Sequence, residues 1–537
     1  MPGNRPGPDG SALRDRAVAA FDRAAAELGR APSAELARAL LRGQRNRLLC
    51  TLRLALVGRV SSGKSTLANA LLGCYRVATG VTELTYNVNW LRYGEAPGLA
   101  VHFRDGRPSQ HRDLAELERL TVRARADPEL AALLGAIDYI EVREPNPQLH
   151  DFDLIDTAGL DSHFVADSAN TLRFLGRADA DVRAATVAHA SQADALVLVF
   201  ARGLGRAEAD LLADFRDAGL STATPITAIG ALTKVELYWP ERDPMAEGQR
   251  VAGKIMTEAG AGRLLFELRP VASLVAAGAA TLTDEQAADL AELARLPPRL
   301  LAERASLGPL FTRRDYDDVL VPAARRQTLY RQLSGYGIVL GCELVREGVD
   351  SPASLRQELT RCSGMPAFRN LLTGHFGNRA DLIKLQRAMT ALQEQQQAVR
   401  ESLPPRERLQ LDTAIAEVTR LGFAEHAFAE LAALQSYYDG RLCLDQAEAA
   451  ELLQVTGEHG LSPAARLGLP ASAPPAAALA RARERLAYWA AFAAELSQAG
   501  PSRRAGQIIQ RSYELLIQEL EREGHVRAAP GPATGVA

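Results

Sequence analysis

The stretch that decides the fold is Leu52-Arg53-Leu54-Ala55-Leu56-Val57-Gly58-Arg59-Val60-Ser61-Ser62-Gly63-Lys64-Ser65-Thr66-Leu67-Ala68-Asn69-Ala70-Leu71-Leu72. An apolar strand runs into Gly-x-x-x-x-Gly-Lys-Ser, and an amphipathic helix leaves it. Strand before and helix after is the context in which such a loop binds phosphate. Gly58 and Gly63 let the backbone curl so that successive N–H groups face a pyrophosphate. The helix that begins near Lys64 adds its positive dipole end. Lys64 is expected to face ligand and solvent and to reach the β- and γ-phosphates, and the Ser65 hydroxyl can hold Mg²⁺. The nucleotide-binding set of this loop is Gly58, Ser61, Ser62, Gly63, Lys64, Ser65 and Thr66.

Lysine usage marks the same loop. The chain has Lys64, Lys234, Lys254 and Lys384 and otherwise uses arginine for positive charge. Under such a bias, lysine persists where a compact point charge is needed and a planar guanidinium does not fit. Lys64 and Lys234 both fall in candidate nucleotide segments.

Outward from the loop, strand and helix signals alternate. Strands are predicted over Tyr86 to Tyr93, Ile137 to Val142, Phe152 to Ile155, Ala195 to Phe200, Ile226 to Leu232 and Pro270 to Ala272. A helix is predicted over Asp113 to Leu134 with a break at Pro128. Continuous apolar strands between helices define a mainly parallel sheet covered on both faces. Ligands of such sheets sit at the carboxyl ends of the strands, where the loop, Asp156, Lys234 and Ser273 all fall. Beyond Thr283 the patterns are helical: Asp284 to Arg295, Ala323 to Arg346, Ser354 to Gln397 with breaks at its glycines, Glu407 to Tyr438, Leu444 to Val455, Ala476 to Ala499 and Ala505 to Glu523. These read as an antiparallel bundle. The helices from Ala12 to Leu49, with Ser33 as the expected cap of the second, precede the sheet and are expected to join it.

A length of 537 residues allows two or three domains. The net charge of −3 supplies no basic field for nucleic acid. The cysteines (Cys50, Cys74, Cys342, Cys362 and Cys443) are odd in number and lack metal spacing, which fits a reducing cytoplasm. The N-terminus has no apolar core of a signal peptide, and no apolar run reaches transmembrane length. Any membrane contact is therefore expected to be peripheral.

Asp156-Thr157-Ala158-Gly159 supplies the second half of a phosphate site. Asp156, at a strand end, can hold a Mg²⁺ water, and the Gly159 N–H can sense a γ-phosphate. Leu160 follows where some small GTPases carry a water-orienting glutamine. Thr82 and Thr85 lie between the loop helix and the next strand. One of them should close over Mg²⁺ and hold the attacking water through its carbonyl. The spacing after Gly80-Val81 favours Thr82, with Thr85 the alternative. Thr233-Lys234-Val235-Glu236 resembles the Asn/Thr-Lys-x-Asp sequence with which GTPases read guanine. Glu236 keeps the paired acceptors for N1 and N2 on a stem one methylene longer. Val271-Ala272-Ser273-Leu274 is expected to give a backbone N–H to guanine O6.

Together these segments resemble the dynamin superfamily. The features that carry the likeness are Ser61-Ser62-Gly63-Lys64-Ser65, the long span from Lys64 to Asp156, and helical sequence on both sides of the sheet domain. Within the superfamily the chain is similar to actinobacterial dynamin-like proteins, including the isoniazid-inducible group of mycobacteria. That likeness rests on Gly58-Arg59-Val60, Glu83-x-Thr85-x-x-Val88-x-Trp90, Tyr336-Gly337-Ile338, Ser363-Gly364 and Arg379-Ala380-Asp381.

The resemblance implies an α/β P-loop GTPase domain with a mainly parallel sheet, plus an α-helical neck and stalk bundle of N-terminal and C-terminal helices. It implies hydrolysis of GTP, with GTP/GDP and Mg²⁺ bound, when two G domains face each other. Ser61 then matches the position that helps bind K⁺ or Na⁺ in place of an arginine finger. Ala158 departs from a common proline and Glu236 from aspartate. The expected domains are a disordered 1–11, neck helices 12–50, a GTPase domain 51–378 with a helical insertion about 283–346, a bundle 379–526 and a flexible tail 527–537. The GTPase domain should end in a helix from Met365 to His375. Expected partners are a second copy through the G domain, an anionic membrane surface and a second dynamin-like subunit, with no nucleic acid. The favoured reading is membrane remodelling at the inner face of the cytoplasmic membrane. The alternative is a soluble regulatory GTPase whose bundle binds a protein. The loop from Gly457 to Pro475, with Leu461, Arg466, Leu467 and Leu469, is the candidate membrane tip, although a plain connector reads equally well. Trp489 reads as core.

Overall fold

The computed structural model describes residues 8–30, 32–77, 87–121, 128–157, 193–201, 224–257, 261–495 and 500–528. The chain divides into two compact units, Thr51–Leu372 and Met1–Cys50 with Thr373–Ala537.

The first unit is built on a sheet in the order β4-β3-β5-β2-β6-β1-β7-β8-β9. Its strands are β1 (Leu52–Gly58), β2 (Val88–Tyr93), β3 (Gly98–Phe103), β4 (Gln110–Arg112), β5 (Ile137–Glu144), β6 (Phe152–Asp156), β7 (Ala195–Ala201), β8 (Ala228–Thr233) and β9 (Leu268–Pro270). β1 pairs in parallel with β6 and β7, and β7, β8 and β9 continue in parallel. β2 and β5 are parallel to each other, but β2 meets β6 antiparallel. Leu54, Ala55, Leu56 and Val57 of β1 are all buried, because neighbours cover both faces of the sheet.

Two strands escaped the sequence reading. β3 alternates half-buried and buried positions, while β4 is an exposed edge strand without one apolar residue. Both are antiparallel. Their pattern is that of a strand with one wet face, unlike the continuous apolar runs that mark the parallel part. The predicted helix over Asp113 to Leu134 is shorter in its described parts, α4 (Leu117–Thr121) and α5 (Pro128–Ala136), with Asp113 capping a preceding 3₁₀ turn.

Helices Asp284–Leu293, Pro298–Ser306, Pro309–Arg313 and Ala323–Arg346 fill the segment expected as an insertion. Leu290, Leu301, Phe311, Leu333, Ile338 and Cys342 share one hydrophobic core with the strand residues Ala55, Leu198 and Phe200. The buried Arg326 donates from Nε to the Phe311 carbonyl at 2.9 Å and also contacts the carbonyls of Val321 and Arg314. A guanidinium can satisfy several divergent carbonyls at once because its donors fan out in one plane.

The second unit is helical. Leu13, Ala17, Phe21, Ala24 and Leu28 recur at helical spacing along α1 (Pro8–Glu27). They share a core with Leu41 and Leu48 of α2 (Glu35–Leu49), Leu385 and Leu392 of helix Ala380–Glu401, and Leu411 and Val418 of helix Pro405–Ala424. The N-terminal helices thus belong to the bundle. α1 begins at Pro8, ahead of the predicted Ala12, with a proline at its first position, where the missing N–H costs nothing. Ser33 does not cap α2. It lies in a 3₁₀ turn, and its hydroxyl donates to Glu407 at 3.1 Å. The predicted Glu407 to Tyr438 helix is two helices, divided at Glu425, which caps His426–Tyr438 from an extended conformation. Trp489 is fully buried, as expected.

The candidate membrane tip is packed and partly helical. Pro463–Arg466 forms a helical turn capped by Ser462, and Leu467 is buried. Arg466 donates from Nε to the Val455 carbonyl at 2.6 Å and pairs with Glu430. Its charge is engaged within the bundle, so it does not serve as a free basic group at a tip. Among the described residues, no helix is long and apolar enough to cross a membrane.

Candidate nucleotide-binding site

β1 delivers Gly58 to the carboxyl end of the sheet. A Cβ there would stand 2.5 Å from the Val199 carbonyl of β7 and 2.8 Å from Ser62 Oγ, so only glycine lets the chain turn away at this point. Ser61 (φ 58°) and Gly63 (φ 91°) both take the left-handed conformation. Such reversals turn consecutive N–H groups toward one concavity, the geometry of an anion nest. Glycine at the N-cap of α3 (Lys64–Leu72) puts no side chain over its first turn, the end of a helix that favours an anion. Ser61 is exposed, whereas Ser62 is buried with its Oγ unpartnered. Ser65 and Thr66 follow, half-buried, in the first turn of the helix.

Lys64 departs from the sequence expectation. It is buried, with Nζ donating to the Gly58 carbonyl at 3.0 Å and the Arg59 carbonyl at 2.8 Å. The ammonium is folded back on its own loop, because a buried charge needs acceptors wherever the structure offers them.

Parallel pairing of β1 with β6 sets Asp156 beside Leu56. Ser65 Oγ donates to Asp156 Oδ2 at 2.9 Å, and the Thr157 hydroxyl donates to the Leu56 carbonyl at 2.7 Å. Asp156 is fully buried. Burial pushes its carboxyl up to about 6, against the opposing pull of Lys64, Ser65 and Asn89. Among the described residues Asp156 Oδ1 has no hydrogen-bond partner.

β8 ends at Thr233, whose buried hydroxyl lies against the Ser62 carbonyl and 3.0 Å from the Phe200 carbonyl, so it ties this strand to the phosphate loop. Lys234 adopts φ 58° and opens a 3₁₀ turn over Val235–Tyr238. Glu236 is buried in that turn. Desolvation raises its carboxyl to about 7, and Oε2 is unpartnered. Ser273 begins helix Ser273–Ala280. Three of the four N–H groups in the segment expected to serve guanine O6 are engaged here: Val271 N–H on the Leu232 carbonyl, Ala272 N–H on the Ser363 carbonyl and Ser273 N–H on the Val271 carbonyl. The structure therefore brings the loop, Asp156 and Thr233 together, with the Lys234 turn continuing from Thr233. Thr82, Thr85 and Gly159 lie outside the described residues.

The donor set suits Mg²⁺. Ser65 and Asp156 are hard oxygen donors at bonding distance from each other, and Asp156 Oδ1 is a further buried acceptor. Mg²⁺ is commonly held by one or two carboxylates together with substrate phosphates, so a full protein cage is not required. Among the described residues no group of three or more His, Cys, Asp or Glu side chains could hold a metal.

One residue of the site was not legible. Asn89, on β2, is fully buried and faces Asp156 across the antiparallel rung. Asn87 directly precedes β2 and Asn89 sits within it, beside Val88, Trp90 and Leu91. Polar residues in a buried run are a signal in themselves, since each must find a partner.

A model of the dynamin family matches residues 54–202, from β1 to just past β7. The chain belongs to the dynamin family. It is 31% identical over 481 residues, 88% of this chain and 91% of the relative, to the isoniazid-induced protein IniC of Mycobacterium tuberculosis. It is also 31% identical over 110 residues to dynamin-like protein 2 of Campylobacter jejuni, which covers 20% of this chain and 17% of that protein. A solved structure described as an oligomerised bacterial dynamin pair that senses and tethers membranes aligns over 91% of this chain and 87% of its own. Its TM-score is 0.30 at 12% identity, too loose to bear on the fold.

Proposed function

We propose that the chain binds GTP and hydrolyses it to GDP and phosphate, and that pairing of two G domains completes the site. The observation that carries this reading is the Ser65–Asp156 bond beside the buried Lys64 ammonium, at the carboxyl ends of adjacent strands. The Gly58 and Arg59 carbonyls hold Nζ where phosphate oxygens would take their place. Gly58, Ser61, Ser62, Gly63, Ser65 and Thr66 cradle the phosphates. Ser65, Asp156 and either Thr82 or Thr85 would hold Mg²⁺, which when bound neutralises charge on the phosphates. The Gly159 N–H reports the γ-phosphate. Thr233, Lys234 and Glu236 read guanine, with Ser273 closing the base pocket. Leu160 has no group with which to orient water. A second G domain, and K⁺ or Na⁺ at Ser61, supply what the monomer lacks.

At the next level we place the protein on the cytoplasmic side, as a peripheral remodeller or stabiliser of an anionic membrane surface that acts with further copies or a second dynamin-like subunit. Family membership supports this reading. The burial of Leu467 and the internal pairing of Arg466 favour the second reading, a soluble regulatory GTPase whose helices bind a protein partner. One assay separates them. GTP turnover per molecule is followed against protein concentration, with K⁺, Na⁺ or a large inert cation, and with and without anionic liposomes that are then sedimented. Turnover that rises with concentration and on liposomes supports the membrane reading. Turnover without liposome binding at any lipid composition moves the assignment to the soluble GTPase. Preference for ATP overturns both.

A further inference from the structure

The phosphate end of the sheet holds a second polar layer behind Asp156. β2 runs antiparallel to β6, so the start of β2 lies at the end of β6, and the register sets Asn89 opposite Asp156. Asn89 is fully buried. Thr121, the last residue of α4, is also buried, and its hydroxyl lies 3.2 Å from Asn89 Oδ1 and 2.7 Å from the Leu117 carbonyl. Asn87 Nδ2 donates to the Leu120 carbonyl at 3.1 Å. The end of α4 therefore grips the first turn of pleat in β2 at two points.

The sense of the Asn89 amide follows from charge. A carboxylate can only accept, so the amide presents Nδ2 to Asp156 and Oδ1 to the Thr121 hydroxyl, whose single proton is shared with the nearer Leu117 carbonyl. Among the described residues Asn89 Nδ2 and Asp156 Oδ1 are both buried without a hydrogen-bond partner, on side chains of residues that the register pairs. An orphaned donor and an orphaned acceptor thus belong to paired residues, while the other carboxylate oxygen is held by Ser65 at 2.9 Å.

We infer that Asn89, oriented by Thr121, is a positioning residue that keeps the Asp156 carboxylate turned toward Mg²⁺. The inference rests on the GTPase reading. Hydrogen bonds to a ligating carboxylate from behind fix its orientation and its charge, and their loss commonly weakens metal binding about ten- to a hundredfold. Asn89→Leu is close in shape and removes the donor. Thr121→Val leaves Asn89 in place and frees its amide to turn, while Thr121→Ser keeps the hydroxyl.

The test is binding of a fluorescent GDP analogue by the full chain as Mg²⁺ is titrated, read as the Mg²⁺ midpoint and as nucleotide release after chelation. Asn89→Leu should raise the midpoint about tenfold. Thr121→Val should shift it about threefold in the same direction, with Thr121→Ser restoring the native value. Metal-free GDP affinity should stay unchanged, which loss of packing alone would not spare. If Asn89→Leu fails to fold, the Thr121 pair decides. A native titration that responds to Mg²⁺ beside variants with the native midpoint overturns the role of Asn89 and leaves the GTPase reading standing. A native chain whose nucleotide binding ignores Mg²⁺ overturns both.

Discussion

Carboxylates at the end of the sheet and in the helical unit meet burial in opposite ways. At the end of the sheet, Asp156 and Glu236 each keep one oxygen unpartnered, and burial pushes their carboxyls up to about 6 and about 7. In the helical unit, Glu458 is equally hidden but accepts from Arg379 at 2.5 Å and lies 3.0 Å from His375 Nδ1. Although burial raises its pKa, contacts with His375 and Arg379 outweigh it and hold the carboxyl down at about 2. Glu430 is likewise taken up by Arg466 and Ser512, and Glu451 by Arg485 and Tyr513. Burial alone therefore does not distinguish a site from a scaffold. Satisfaction does: Glu458, Glu430 and Glu451 are closed on basic or hydroxyl partners, as Asp153 of the sheet is on Arg92 and Thr51, while Asp156 and Glu236 each keep an acceptor that a ligand can complete.

The largest effect that would sharpen this contrast is at Lys64. Lys64→Ala should lower GTP turnover by at least about a hundredfold, since phosphoryl transfer depends on charge stabilisation at the phosphates. Circular dichroism should show the helical content retained. Native-like turnover by this variant would break the assignment of the sheet end as the active end.

Next is the paired acid. Glu458→Gln leaves His375 and Arg379 buried without their carboxylate and should cost about 3 kcal/mol of stability in denaturant unfolding near neutral pH. Glu458 has a folded pKa below its unfolded value, so its contribution is present above about 4.5 and is lost as pH falls toward about 2. The stability difference between native and Glu458→Gln should shrink accordingly in acid. A difference constant with pH would contradict the pairing.

Glu236 has the opposite sign. Its folded pKa, about 7, lies above 4.5, so its ionisation costs stability as pH rises between those values, and the cost is fully present above about 7. Guanine needs the ionised form as acceptor. GDP affinity should therefore fall about tenfold from pH 8 to pH 6, as a group with a pKa near 7 becomes protonated. Glu236→Gln should flatten that profile. A smaller change is expected of Glu236→Asp, which restores the shorter acceptor of the guanine-reading sequence and should tighten GDP by about 1 kcal/mol, the worth of one adjusted hydrogen bond. Competition titrations with GDP and ADP measure it.

The contrast also explains what the sequence could reveal. Gly58, Gly63, Lys64, Asp156 and Thr233-Lys234 announce themselves because local spacing dictates their geometry. Lys384 shows where the lysine argument extends: its ammonium donates to the carbonyls of Leu48 and Cys50 at the end of α2, another place for a compact charge. Lys254, in the last turn of helix Pro244–Thr257, has only the helix end to favour it. Asn89 was hidden because its role depends on an antiparallel register between strands far apart in sequence. β4 was hidden because an exposed edge strand needs no apolar residue. The Arg466–Glu430 and Glu458–His375 pairs were hidden for a related reason, since no periodicity foretells which charges of a bundle will meet.

The most direct test is a thermal unfolding scan of the native chain with Mg²⁺ and saturating GDP or ADP at pH 8. A ligand that binds only the folded state stabilises it by roughly 2.7 kcal/mol at a hundred times its dissociation constant. GDP should therefore raise the midpoint by several degrees and ADP should not, and Lys64→Ala should lose most of the GDP shift. No shift with GDP, or an equal shift with ADP, would contradict the account that the open acceptors at the sheet end await a guanine nucleotide.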